Sequence, residues 1–125
     1  MARILIVDDS AMSRRILRNI LEGAGHAVTE AEDGMIALEK YYLEKPDVVL
    51  LDLIMKGMLG MEVLRKIRLM DEAARIIVAT ADIQTSTRTM TEAEGAAAFI
   101  TKPFVGERIL ETVNSVLGGQ ANGSH

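Results

Sequence analysis

Two kinds of apolar pattern alternate along this chain. Continuous runs of branched apolar residues occur at Arg3 to Val7, Val48 to Met55, Arg75 to Thr80 and Ala97 to Thr101, with a shorter, less apolar run from His26 to Ala31. Runs of this length, apolar on both faces, predict strands buried inside a parallel sheet, and the weaker His26 run predicts a strand nearer an edge. Between them the apolar residues recur every three or four positions, which predicts helices. Ser10 is a good N-cap for the first, whose inner face reads as Met12, Ile16, Leu17, Ile20, Leu21 and Ala24 before Gly23 and Gly25 stop it. Leu38, Tyr41, Tyr42 and Leu43 are the expected inner residues of a helix from Met35 to Glu44, which Pro46 ends. A third helix, Met61 to Met70, offers Val63, Leu64, Ile67 and Met70. The fourth, Asp82 to Glu94, is crowded with Thr85, Ser86, Thr87, Thr89 and Thr91 and has only Ile83, Met90 and Ala93 as an apolar face. Each β-branched residue costs a helix roughly half a kcal/mol relative to Ala, so this is expected to be the least stable helix. The last, Glu107 to Leu117, presents Ile109, Leu110, Val113 and Leu117, and Gly118 to His125 has the composition of a disordered tail.

Five strands alternating with five helices predict an α/β fold, a doubly wound (βα)5 domain with helices on both faces of a parallel sheet. At 125 residues the chain fits one domain, and the patterning shows neither repeats nor a linker. The net charge of −4 and the absence of a basic stripe argue against a nucleic-acid surface. With no cysteine, thiolate chemistry and cysteine metal sites are excluded. No secretory segment follows Met1 and no apolar run reaches the ~18 residues of a membrane span, so the cytoplasm is the expected compartment.

Reactive residues gather where the predicted strands end. Asp8 and Asp9 follow the first, Asp52 sits within the third run, Thr80 closes the fourth and Lys102 follows the fifth. An isolated strand-end aspartate commonly caps the next turn. Five such residues at four of five strand ends point instead to a site, because ligands of doubly wound sheets bind beyond the carboxyl ends of the strands. Three converging carboxylates repel one another unless a cation joins them, and an oxygen-only ligand set suits Mg2+ or Mn2+. Magnesium typically adds a phosphate oxygen to one or two carboxylates, so the site fits a phosphoryl group, with Lys102 as a point charge and Thr80 as a hydroxyl donor. Asp52, the most deeply embedded acid, is the candidate nucleophile for an acyl phosphate, and Asp8 and Asp9 are the candidate metal holders.

Ile6-Val7-Asp8-Asp9-Ser10, Leu50-Leu51-Asp52-Leu53, Thr80-Ala81 and Phe99-Ile100-Thr101-Lys102-Pro103-Phe104, in this order and spacing, closely resemble a response-regulator receiver domain of the chemotaxis type. The resemblance covers residues 2 to 117, and a receiver over residues 1–117 is expected, with 118–125 as a tail. It implies the strand order 2-1-3-4-5 and a phosphoryl group passed to Asp52 from a sensor histidine kinase or phosphotransfer protein. It implies Mg2+ held by Asp9, Asp52 and the backbone carbonyl of Ile54, and through water by Asp8. It further implies that Thr80 and Phe99 act as the switch, that Lys102-Pro103 is cis, and that a downstream effector protein reads the outcome. The expected reading face is the fourth helix, the Phe99 strand and the last helix.

The chain departs from the receiver pattern after Asp52, where Lys56 and Leu59 replace a usual proline and a further acid. Losing the proline frees φ and restores a backbone donor, which favours a more mobile loop, and the added cation could itself meet a phosphate. Lys56 nonetheless reads first as a solvated loop lysine, and Met55, Met58 and Met61 as gap-fillers. A small Mg2+-dependent phosphatase is the alternative in another class, but Ile54, two residues past Asp52, cannot serve as its general acid. A flavin-binding fold is disfavoured because Asp8-Asp9-Ser10-Ala11-Met12-Ser13 is acidic where a phosphate cradle belongs. A receiver cut from a longer regulator stays open.

Overall fold

A computed structural model describes residues 1–119. Its elements run in strict alternation: β1 (Arg3–Val7), α1 (Ala11–Gly23), β2 (Ala27–Ala31), α2 (Gly34–Glu44), β3 (Val48–Leu51), α3 (Gly60–Met70), β4 (Ile76–Thr80), α4 (Thr85–Ala93), β5 (Ala98–Thr101) and α5 (Gly106–Leu117). The five strands form one sheet in the order β2-β1-β3-β4-β5, and all pairings are parallel. The doubly wound α/β architecture and the strand order are thus as expected.

Because successive strand residues point to opposite faces, each apolar run divides between two cores. Leu5, Val7, Val49, Leu51, Ile76 and Val78 pack with Ala37, Tyr41, Val63, Leu64 and Ile67 of α2 and α3. Ile4, Ile6, Val48, Leu50, Ile77 and Ile100 pack on the other face with Leu17, Leu21, Ile109, Val113 and Val116 of α1 and α5. The register pairs Val7 with Leu51 and Thr80 with Thr101, so the strands finish nearly level. That level edge places their carboxyl ends in one crevice.

Several local expectations need correction. β3 stops at Leu51, so Asp52 lies just beyond the strand and not inside it. Met12, Ile16 and Ala24 of the first helical segment are exposed, and so are Tyr42, Leu43 and Met70. On α2 the buried line is Gly34, Ala37 and Tyr41, at spacings of three and four; Tyr42 and Leu43 turn off that line by helical geometry. Val116 completes the buried face of α5, where Leu110 and Leu117 are only half-buried. α4 begins at Thr85, because the Asp82 carboxylate accepts from the Gln84 amide at 3.0 Å and the Thr87 hydroxyl at 2.8 Å and holds the preceding residues in a turn. Ile83 and Met90 are exposed and Thr91 is the sole buried residue of α4, making it the least anchored helix among those described. No described helix is long and apolar enough to cross a membrane. The expected tail lies mostly outside the described residues, which include its Gly118 and Gly119.

Candidate functional site

The crevice is built from the ends of four strands. Asp8, directly after β1, is buried; its Oδ1 accepts from the Ser10 amide at 2.8 Å, while Ser10 Oγ caps α1 through the Ser13 amide. Asp9 follows and is exposed. Asp52 is buried, and its own amide still reaches across to the Val7 carbonyl at 2.9 Å, which locks it beside β1. Its Oδ1 accepts from the Ile54 amide at 3.2 Å. Thr80, the last residue of β4, is fully buried and its Oγ1 accepts from the Asp82 amide at 3.3 Å. Lys102 comes in from the end of β5, fixed by its amide bond to the Thr80 carbonyl at 2.9 Å. The Lys102-Pro103 bond is cis, as the resemblance implied.

The side chains converge. Lys102 Nζ lies 3.0 Å from Asp52 Oδ2 and 3.0 Å from Asp8 Oδ2, bridging the two buried carboxylates. One carboxylate oxygen each from Asp8, Asp9 and Asp52 lie within 4.8 Å of one another. Burial is the largest influence on Asp8 and pushes its carboxyl above the usual range; the Ser10 amide and Lys102 pull the other way, and the Asp52 charge adds to the rise. Burial also opposes the Lys102 charge, but hydrogen bonds and charge from Asp52 and Asp8 outweigh it and hold the ammonium above its ordinary range. One ammonium against three carboxylates leaves an excess of negative charge in a half-enclosed crevice. A divalent cation with oxygen preference fits that donor set.

Asp8, Asp9, Asp52, Thr80 and Lys102 are therefore brought together. Ile54 joins them through its amide, while its side chain is 63% exposed at the mouth. Phe99 stands apart on β5, half-buried against the α2–α3 core, with the Arg88 guanidinium of α4 5.5 Å from its ring centroid.

Comparison with known proteins decides the family. The sequence pattern described as the response regulator receiver domain matches residues 4–114. The chain belongs to the response-regulator receiver family. It is 43% identical over 116 residues to the chemotaxis protein CheY of Bacillus subtilis, covering 92% of this chain and 97% of that one. Protein PilH of Pseudomonas aeruginosa is 40% identical over 121 residues, covering 95% of this chain and 100% of the other. The solved structure of Vibrio cholerae CheY4 superposes with a TM-score of 0.88 at 32% identity, covering 93% and 98% of the two chains. The protein is thus a CheY-like receiver of two-component signalling, a class of signalling proteins and not of metabolic enzymes. Receivers of this kind work with kinases and effectors.

Sequence reasoning missed three contributors to this receiver's crevice. Gly60 opens α3 against the Asp52 backbone, where an added Cβ would stand 2.2 Å from the Asp52 carbonyl oxygen. Its signal was present, a glycine between the loop and the next helix. Arg14 donates from Nη1 to the Asp8 carbonyl at 2.7 Å and from Nε to Glu30 at 2.8 Å, steadying the β1–α1 turn from outside. The backbone amide of Lys56 donates to Asp9 Oδ2 at 3.2 Å.

Proposed function

We propose that this receiver accepts a phosphoryl group on Asp52 from a phosphohistidine of a sensor histidine kinase or phosphotransfer protein, and that the change then controls an effector protein. The observation that carries this reading is the Lys102 ammonium, 3.0 Å from both Asp52 and Asp8, facing a third carboxylate across the crevice. A carboxylate oxygen of Asp52 attacks phosphorus, the phosphorus–nitrogen bond breaks as the phosphorus–oxygen bond forms, and the imidazole, protonated on its other ring nitrogen, takes the bonding electron pair and leaves neutral. Lys102 neutralises negative charge gathering on the phosphoryl oxygens, and the Ile54 amide holds the carboxylate in place. Asp9, Asp52 and the Ile54 carbonyl would hold Mg2+, with Asp8 acting through water; Mn2+ suits the same donors. When bound, the ion supplies charge neutralisation and a template for the transferring group.

The buried hydroxyl of Thr80 then turns toward the phosphoryl oxygen, and Phe99 takes up the space behind it. α4, held by one buried residue, is free to shift for a cost of about a kcal/mol or two. The effector reads α4, β5 and α5. The unit so acting spans residues 1–117 and works in the cytoplasm. The test is intact mass after treatment with an acyl-phosphate donor, with Mg2+ or with EDTA, for the native chain and Asp52→Asn. One phosphoryl group on the native chain, lost with EDTA and with Asp52→Asn, is expected; equal labelling of both chains sinks the assignment.

A further inference from the structure

Asp9 is the weakly held member of the acidic cluster. Asp8 and Asp52 are buried and share Lys102, but no ion pair reaches Asp9 among the described residues, and Asp9 is exposed. Beside two like charges, an exposed carboxylate on a flexible side chain turns outward unless something holds it. Among the described residues one hydrogen bond holds it from across the crevice, the Lys56 amide on Asp9 Oδ2 at 3.2 Å. That bond uses the backbone of residue 56, and a proline there would have no N–H to give. With the bond in place, the three carboxylates already lie within 4.8 Å of one another before any cation is present.

We propose that Lys56 is a positioning residue for cation binding, acting through its amide and not its ammonium: it keeps Asp9 turned into the crevice, so a divalent cation meets a preformed set of three carboxylates. The proposal rests on the reading of that cluster as a Mg2+ site. A hydrogen bond from an amide to an exposed carboxylate contributes modestly, so its loss weakens cation affinity by about three- to tenfold. The Lys56 side chain is exposed and has no partner in the crevice among the described residues, so its charge contributes little at moderate salt.

The experiment titrates Mn2+ into the full chain and follows the free ion by electron paramagnetic resonance, for the native protein, Lys56→Ala, Lys56→Pro, Asp9→Ala and Asp52→Asn. Expected are binding by Lys56→Ala within about twofold of native, and a loss of about three- to tenfold in Lys56→Pro. If Lys56→Pro binds as the native chain does, or Lys56→Ala loses as much as Lys56→Pro, the tether is overturned while the cation site stands. If the native chain binds no Mn2+, or Asp52→Asn binds it equally well, the site itself fails and the tether with it. A second measurement needs neither metal nor proline: exchange of the Lys56 amide proton in the metal-free protein is expected to quicken by roughly threefold or more in Asp9→Ala. An unchanged exchange rate overturns the proposal.

Discussion

Replacing Lys102 by methionine tests the electrostatics of the crevice without opening a large cavity. The substitution removes an ammonium that sits 3.0 Å from each of two buried carboxylates. At an effective dielectric of about 20, each contact represents about 5 kcal/mol of gross attraction. Most of that is offset by the desolvation of the three groups, and Lys102 keeps 22% of its side chain in solvent, which screens it further. A net loss of about 2–3 kcal/mol is expected, or about 10 °C in the unfolding midpoint of a domain this size. The loss depends on pH in a defined direction. Without Lys102, Asp8 loses two influences that lower its pKa and only the Ser10 amide still opposes burial and the Asp52 charge, so the carboxyl rises further. An acid whose folded pKa is raised binds more protons in the folded state, so its contribution is most favourable below its ordinary value of 3.8 and is lost as pH rises through the folded value. The deficit of Lys102→Met against the native chain should therefore be largest well above 3.8 and shrink as pH falls toward that value. Urea unfolding by circular dichroism in EDTA buffer, at several pH values, reads it. Equal stability of the two chains, or a deficit that does not change with pH, refutes the reasoning.

Thr80→Ala should keep phosphorylation yet lose most of the amide-exchange change that phosphate otherwise produces in residues 82–94 and around Phe99; changes confined to the Lys56 loop in the native chain would move the output surface there. Ile54→Asn should shorten the phospho-lifetime, because an amide two residues past Asp52 can orient a water in line with the aspartyl bond and a branched alkyl chain cannot. Ile54 is 63% exposed, so stability should stay within about 0.5 kcal/mol; an unchanged lifetime shows that Ile54 is not what limits hydrolysis. Tyr41→Phe removes the bond from the buried phenol to Asp71 Oδ2 at 2.7 Å and should cost about 1 kcal/mol at neutral pH. That bond holds the Asp71 carboxyl below its ordinary value of 3.8, so the stabilisation is present above 3.8 and the difference between the chains should narrow as acid unfolding is carried below it.

The strand ends were legible because a polar residue closing an apolar run is conspicuous, as at Asp8, Thr80 and Lys102; Asp52 was conspicuous as an acid inside a run, and only the structure shows that the strand ends at Leu51. Strand order was not legible from pattern and came from the resemblance, since nothing in an apolar run names its neighbour. Helix faces were read unevenly. Leu17, Leu21, Val63, Leu64 and Ile67 are buried as expected, but Met12, Ile16, Tyr42 and Leu43 are not. A folded surface is itself largely apolar, so an apolar residue beside the buried line is weak evidence of burial. Thr91, wholly buried on α4, escaped notice for the converse reason: its hydroxyl bonds back to the Arg88 carbonyl at 2.9 Å and leaves its methyl group to pack. The Lys56 contact could be read only in part: the missing proline restores a backbone donor there, but not its acceptor. It is made by a backbone amide, and residue type says only that an amide exists, not where it points.

The central claim, that Asp52 is the phosphoacceptor, is tested most directly by chemical trapping. The chain is treated with acyl phosphate and Mg2+, reduced with borohydride, which turns an aspartyl phosphate into homoserine, and mapped by peptide mass spectrometry. Homoserine at position 52 alone is the predicted result. Homoserine at position 8 or 9, or none where intact mass shows a phosphoryl group, would contradict it.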